Sequence, residues 1–250
     1  MTPTTPFSPS ARYSAVTRVK PESAAAGFSA PVAEPVLLPT ESQGAETLSE
    51  AEAKQALAEF GLAIPGQRRA ADAAEAGEVV KDLRFPVVLK GEGLAHKSEA
   101  GVVRLGLRSA SEVAEVARDM AAPSFLVEEM IEGGVAELLI GVVKDPAHGF
   151  VLTLAAGGVL TELLSDSVSL LVPSDRDMIL AALSELKINR LLDGYRGAPA
   201  ADMNAVLDAV EAVQNYVLAN AEGLEEIEIN PLIATPNGAF AADALLRKGS

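Results

Sequence analysis

Cysteine and tryptophan are absent from the 250-residue chain, histidine occurs twice, and aromatic residues make up 4% of it. Without thiols there is no disulfide, no thiolate metal site, no iron–sulfur cluster and no cysteine nucleophile. Positive charge is scarce as well: 20 Lys and Arg stand against 35 Asp and Glu, a formal net charge of −15. That balance excludes a general nucleic-acid binder, which needs clustered Lys and Arg. It leaves room for one phosphate ligand in a local basic pocket. No apolar run approaches the ~20 residues that span a bilayer. The longest candidate, Phe150 to Leu164, is broken by Gly157, Gly158, Thr161 and Glu162. No signal-peptide core is present, and the expected location is the cytoplasm, with neither membrane nor nucleic acid as partner.

What is present falls into two parts. Residues 1–45 hold seven of the fifteen prolines and many Ser and Thr. They carry no lasting helical or strand period and are expected to form a disordered arm. Order is expected from 46 to 250. Ser49 and Glu52 form a capping box before the apolar stripe Ala53, Ala56, Leu57 and Phe60, which ends at Gly61. A short strand is expected at Leu62–Ile64, then a helix over 72–83 and a buried strand, FPVVLK, that ends in Lys90. A polar loop leads to a strand over 102–107, and Ser109 with Glu112 opens a second capped helix. Strands follow at 124–131, 136–144 and 150–155, then the apolar stretch 167–172. A helix capped by Ser174, a long amphipathic helix over 201–221 and a closing hairpin complete the chain. Several neighbouring strands have connections too short for a crossover helix. The expected class is therefore α+β, mixed α/β in two lobes, rather than one doubly wound parallel sheet.

Four constellations can carry chemistry. In the strand EIEINP, Glu226, Glu228 and Asn230 share one face, and Ile227 and Ile229 the other. Oxygen donors on an otherwise apolar strand suit a hard cation such as Mg²⁺ with substrate phosphates. A solvated outer face of an edge hairpin is the alternative. With Asn237–Gly238 as the turn, Asp243 faces Leu232 and lies diagonal to Asn230, unless a bulge at Pro231 shifts the register. The second constellation is Lys90 with the loop holding Gly91, Gly93, His96, Lys97, Ser98 and Gly101. Glycines free backbone N–H groups for an anion and the lysines add charge, although no Walker A pattern is present. A flexible surface loop explains the same residues. The third, Gly157–Gly158, reads as an anion-accepting turn or a close backbone approach. The fourth, LLDGYRG, puts Arg196 between glycines, as a phosphate clamp or a surface ion pair.

In order, the motifs PVVLK, HKS-x-x-G, LVEEM, AELLIG, AAGGVLTELLSD, LLDGYRG and EIEINPL with a terminal ADA resemble the ATP-grasp subunit of NDP-forming acyl-CoA synthetases. This superfamily includes the succinyl-CoA synthetase beta subunit. The resemblance covers roughly Leu48 to Leu246. It implies two α+β lobes gripping ATP, with a small lobe over about 65–125 and the remainder in the large lobe. It also implies Mg²⁺-dependent phosphoryl transfer between ATP/ADP and a phosphohistidine relay. Carried over by motif, Lys90 contacts phosphate; Lys97, Gly157, Gly158 and Arg196, read above from their own chemistry, are further candidates for nucleotide binding. Val127, Glu128, Glu129 and Met130 offer backbone to adenine, and Glu137 lines the pocket. Asn230 and Asp243 hold Mg²⁺, with Glu228 as a further ligand or orienting group. His96 matches a second relay histidine of some ADP-forming acetyl-CoA synthetases. The implied partner is an alpha-type subunit with the CoA-binding domain and the main relay histidine, bringing CoA and a small carboxylic acid. Other readings are an ATP-dependent carboxylate–amine ligase and a non-catalytic nucleotide-binding regulatory module. Three positions depart from the family pattern: a single Gly101 where two glycines are usual, Leu170 where an arginine stands, and His148 in place of a phenylalanine.

Overall fold

A computed structural model describes residues 46–93, 102–158 and 166–249. The arm expected at 1–45, the loop with His96, Lys97, Ser98 and Gly101, and the stretch 159–165 lie outside the described residues. Eleven strands are described: β1 (Glu46–Thr47), β2 (Gln67–Ala70), β3 (Val87–Glu92), β4 (Val103–Leu107), β5 (Ser124–Glu129), β6 (Ala136–Asp145), β7 (Gly149–Ala156), β8 (Ser167–Leu171), β9 (Leu224–Thr235), β10 (Gly238–Ala241) and β11 (Ala244–Lys248). The α-helices are α1 (Glu50–Ala58), α2 (Ala73–Val79), α3 (Ala110–Asp119), α4 (Arg176–Glu185), α5 (Asn189–Leu192) and α6 (Met203–Ala219).

The strands form two sheets. One has four strands in the order β2-β5-β3-β4; the other runs β1-β11-β9-β6-β7-β8, with β10 also paired to β9. Every described pairing is antiparallel, which the short connections allow. Each sheet has its own apolar core. Val87, Leu89, Phe125 and Val127 pack with residues of α2 and α3 in the small one. Ile140, Val142, Ile227 and Ile229 pack with α4 and α6 in the large one, where Ala53 and Leu57 of α1 join them. The first helix therefore belongs to the large core, although its chain leads straight into the small sheet.

Local chemistry explains most boundaries. Ser49 caps α1 with the reciprocal Glu52 contact in place. Ser109 accepts from Glu112 N–H at the start of α3. Two expectations are corrected. Residues 62–64 form no strand; the strand begins only at Gln67, as β2, after Pro65 and Gly66. The cap of α4 is Asp175, not Ser174. Ser174 is already committed, its hydroxyl donating to the Leu171 carbonyl and its N–H to Gln214. Leu170 packs partly buried against the large core, so an apolar side chain suits that place.

The closing hairpin has a different register from the one expected. Gly238 pairs with Thr235, so Pro236 and Asn237 make the turn. Ala244 pairs with Ile229 on the same register. Asp243 then lies opposite Asn230 instead of Leu232, and the Asn230 N–H donates to its carbonyl at 3.2 Å.

Candidate active site

Period-two alternation divides the small sheet. Val87 and Leu89 of β3 and Phe125 and Val127 of β5 face the small core. Lys90 and Glu128 lie on the opposite face, as does Leu126, which pairs with Lys90 while Val88 pairs with Glu128. Lys90 and Glu128 are thus diagonal neighbours. The face they share is met by α1. There Glu50 and Lys54, four residues apart, project from the same side of the helix.

The four side chains close into a ring of alternating charge. Lys90 Nζ lies 2.5 Å from Glu50 Oε1 and 2.8 Å from Glu128 Oε2. Lys54 Nζ lies 2.9 Å from the same Glu50 oxygen and contacts Glu128 Oε1. Lys90 also donates to the Ala242 carbonyl at 2.6 Å, beside Asp243. Lys54 is 0% exposed, Glu128 2%, and the Lys90 side chain 14%. Burial would push the Glu50 carboxyl up, but Lys90 and Lys54 outweigh it and bring it down to about 2. Burial opposes charge on Lys90 too, yet Glu50, Glu128 and Asp243 raise it above the ordinary lysine range. Glu50 and Lys90 are therefore ionised at neutral pH, and each buried charge of the quartet lies beside an opposite one, the condition under which such a group is tolerable.

The second assembly lies on β9. Ile227 and Ile229 are fully buried, which turns Glu226, Glu228 and Asn230 to the other face. Arg247 pairs with Glu226 at 3.2 Å; burial still pushes the Glu226 carboxyl above its usual range. Asn230 Nδ2 donates to Glu228 Oε1 at 3.3 Å, and Asn230 Oδ1 accepts from the Gly158 N–H at 2.9 Å. Glu137 lies against the same glycine pair: its carbonyl accepts from the Gly157 N–H at 2.8 Å, and a Cβ on Gly158 would sit 1.8 Å from its Oε2. Gly157 is equally constrained, because a Cβ there would meet the Leu138 carbonyl carbon at 2.5 Å. The glycine pair is thus a close backbone approach. Among the described residues no three acidic or histidine side chains cluster as a preformed metal cage. Glu228 and the Asn230 amide nevertheless share that face and Asp243 lies opposite Asn230, donor types that suit Mg²⁺, which completes its shell with water and phosphate oxygens.

The expected adenine segment divides in two. The backbones of Val127 and Glu128 are inside the sheet, between β2 and β3, and do not lie open to a base. The Glu129 and Met130 N–H groups donate to Gly66 and Pro86 carbonyls. Beyond them a cavity of about 260 Å³ is lined by Arg84, Phe85, Pro86, Glu129, Met130 and Glu132. Arg84 grips Glu129 with its Nε and Nη2 at 3.1 and 2.7 Å, and these hydrogen bonds hold the Glu129 carboxyl below its usual range. Arg196 is not brought to this assembly among the described contacts: it is exposed, with φ 51°, and lies over the Tyr195 ring at 5.2 Å. His148 is exposed and bonded to Asp145 at 2.9 Å. Sequence reasoning missed Glu50, Lys54 and the Glu128 side chain. The available signal was an acid–base pair at i,i+4 adjoining the apolar stripe of α1, a pattern that usually marks a solvated face.

A family model described as an ATP-grasp domain matches residues 40–247. The chain belongs to the ATP-grasp family. The beta subunit of an ADP-forming acetate–CoA ligase II from Pyrococcus furiosus is 30% identical, over 83% of this chain and 94% of that one. A trans-feruloyl-CoA synthase from an unknown prokaryotic organism is 34% identical over 85% of this chain, which spans only 32% of that protein's length. A dinucleotide-forming acetyl-coenzyme A synthetase 1 of Ca. Korarchaeum cryptofilum, solved with coenzyme A and Mg-AMPPCP, superposes with a TM-score of 0.70 at 31% identity, covering 81% of this chain and 92% of that chain. The α+β reading thus holds as an ATP-grasp fold.

Proposed function

We propose that this chain is the nucleotide-binding subunit of an ADP-forming acyl-CoA synthetase, completed by an alpha-type partner that binds CoA and carries the main relay histidine. The reaction is acid, CoA and ATP giving acyl-CoA, ADP and phosphate, reversibly. The observation that carries the reading is the placement of Lys90 and Asp243. Lys90 lies within β3 (Val87–Glu92) of the small sheet, not at its end as the sequence suggested, Asp243 immediately precedes β11 (Ala244–Lys248) of the large sheet, and Lys90 bonds the carbonyl just before Asp243. A nucleotide tail at that junction meets a cation from one sheet and hard oxygen donors from the other. The 30% identity to the Pyrococcus beta subunit supports the beta-type, nucleotide-binding role.

Glu228, Asn230 and Asp243 would hold Mg²⁺, which when bound neutralises phosphate charge and orients the transferring group. The protein's own part is positioning. Asn230 is held by Gly158 and Glu228, and Gly157–Gly158 lets the backbone come close. Lys90 supplies a localised cation, which counts for more in a chain of net charge −15. The cavity beside Glu129–Glu132 is the place for the base. Lys97 remains a phosphate contact and His96 a relay residue on the strength of the motif, with the cytoplasm as location. Isothermal titration of Mg-ADP tests the reading: the chain binds it, and Lys90→Ala with Asp243→Ala abolishes binding. Absence of binding by the wild-type chain with Mg²⁺ present overturns it.

A further inference from the structure

Lys54 is a wholly buried cation to which the proposed phosphoryl chemistry gives no task. It lies on the inner side of α1, in contact with Glu50 and Glu128, with the Ala242 carbonyl 3.4 Å away. We propose that Lys54 is a positioning residue that sets how readily Lys90 leaves the charge ring for a nucleotide phosphate. The proposal rests on the reading of Lys90 as a phosphate contact.

An ammonium donates three hydrogen bonds, and Lys90 has three close oxygen partners: Glu50 Oε1, the Ala242 carbonyl and Glu128 Oε2. A phosphate gains Lys90 only by displacing at least one of them. Departure of Lys90 leaves two buried carboxylates behind. With Lys54 in place they still share a cation, and each keeps a donor, so the ring passes from neutral to a single negative charge. Without Lys54 the same step takes the ring from one net negative charge to two in a site of low exposure, where unbalanced charge is costly. Those carboxylates would then retain Lys90 against the phosphate. Lys54 cannot replace Lys90, because its side chain is sealed behind the ring. Ring charge and nucleotide affinity are therefore coupled through a residue that does not touch the nucleotide.

The test is titration of Mg-AMPPCP into the full chain, with folding checked by circular dichroism. Lys90→Met loses binding. Lys54→Met weakens it about tenfold or more, the order expected for an unpaired buried charge. Adding Glu128→Gln to Lys54→Met restores most of the loss, since departure of Lys90 then leaves only the Glu50 carboxylate and the ring again passes from neutral to a single negative charge, as in the wild type. A merely structural role for Lys54 would not be rescued by removing a second ring member. A folded Lys54→Met that binds like wild type overturns the proposal while Lys90→Met still loses binding. So does a double variant no better than the single one. Should Lys54→Met not fold, Glu128→Gln alone decides: it loosens the hold on Lys90 and tightens Mg-AMPPCP binding severalfold, and unchanged or weaker binding overturns the proposal. Full binding by Lys90→Met strikes instead at the phosphate role of Lys90, and the proposal falls with it.

Discussion

Glu50 shows how one residue can serve folding and function together. Its side chain is 7% exposed and shared between two lysines, which bring its carboxyl from 4.5 to about 2. A carboxyl depressed in the folded state contributes stability fully above its unfolded pKa, and loses it as pH falls through the folded value. The window here runs from about pH 4.5 down to pH 2. Each pKa unit is worth about 1.4 kcal/mol, so roughly 3 kcal/mol is the upper bound at neutral pH. Urea denaturation of wild type and Glu50→Gln checks this: the stability gap between them narrows steadily on acidification through that window, and a constant gap refutes it. Asn230 makes a second residue-scale case. Its Oδ1 takes the Gly158 N–H and its Nδ2 reaches Glu228. Asn230→Ala removes this hydrogen bond, at a cost of about 0.5–1.5 kcal/mol. The Mg²⁺ concentration needed for half-maximal nucleotide binding rises as well.

Among the elements, α1 links the two cores. Its apolar side joins the large core through Ala53 and Leu57, while Glu50 and Lys54 reach the small sheet. Its first turn depends on the Ser49–Glu52 box. Ser49→Ala lowers stability by about 1 kcal/mol, measurable as a shifted denaturation midpoint. The Gly157–Gly158 turn admits no side chain. Gly157→Ala forces a Cβ against the Leu138 backbone at 2.5 Å, so the turn must withdraw from Asn230. Mg-AMPPCP affinity should fall about tenfold or more, the value of one lost charge-positioning contact. Much of this scale was legible in the chain itself. The Ser49 box and the Ile227/Ile229 alternation are local signals, and local signals survive folding. Ser174 misled because a serine before a helix reads as a cap until its hydroxyl is seen bonded to Leu171. The hairpin slipped by two residues because Asn-Gly is the commoner turn pair, whereas here Pro236–Asn237 turns and Gly238 pairs.

At the scale of the whole molecule, two antiparallel sheets with separate cores are joined by α1 and by the Lys90 contact to Ala242. Among the described residues no helix is long and apolar enough to cross a membrane. With CoA and a short carboxylic acid, ADP release is expected only when an alpha-type partner is added, and not from this chain alone; release by the isolated chain would refute the division of labour. By itself the sequence determined which faces are apolar, where helices begin and which oxygen donors alternate along β9, because those depend on neighbours a few residues apart. Its motif order determined the family. Only tertiary structure decided that Glu50, Lys54, Lys90 and Glu128 meet, since they come from three elements up to 78 residues apart and each alone reads as a charged residue open to water. Their pairing follows from burial: once α1 is docked on the large core and the small sheet covers it, four charges excluded from water are stable only beside one another.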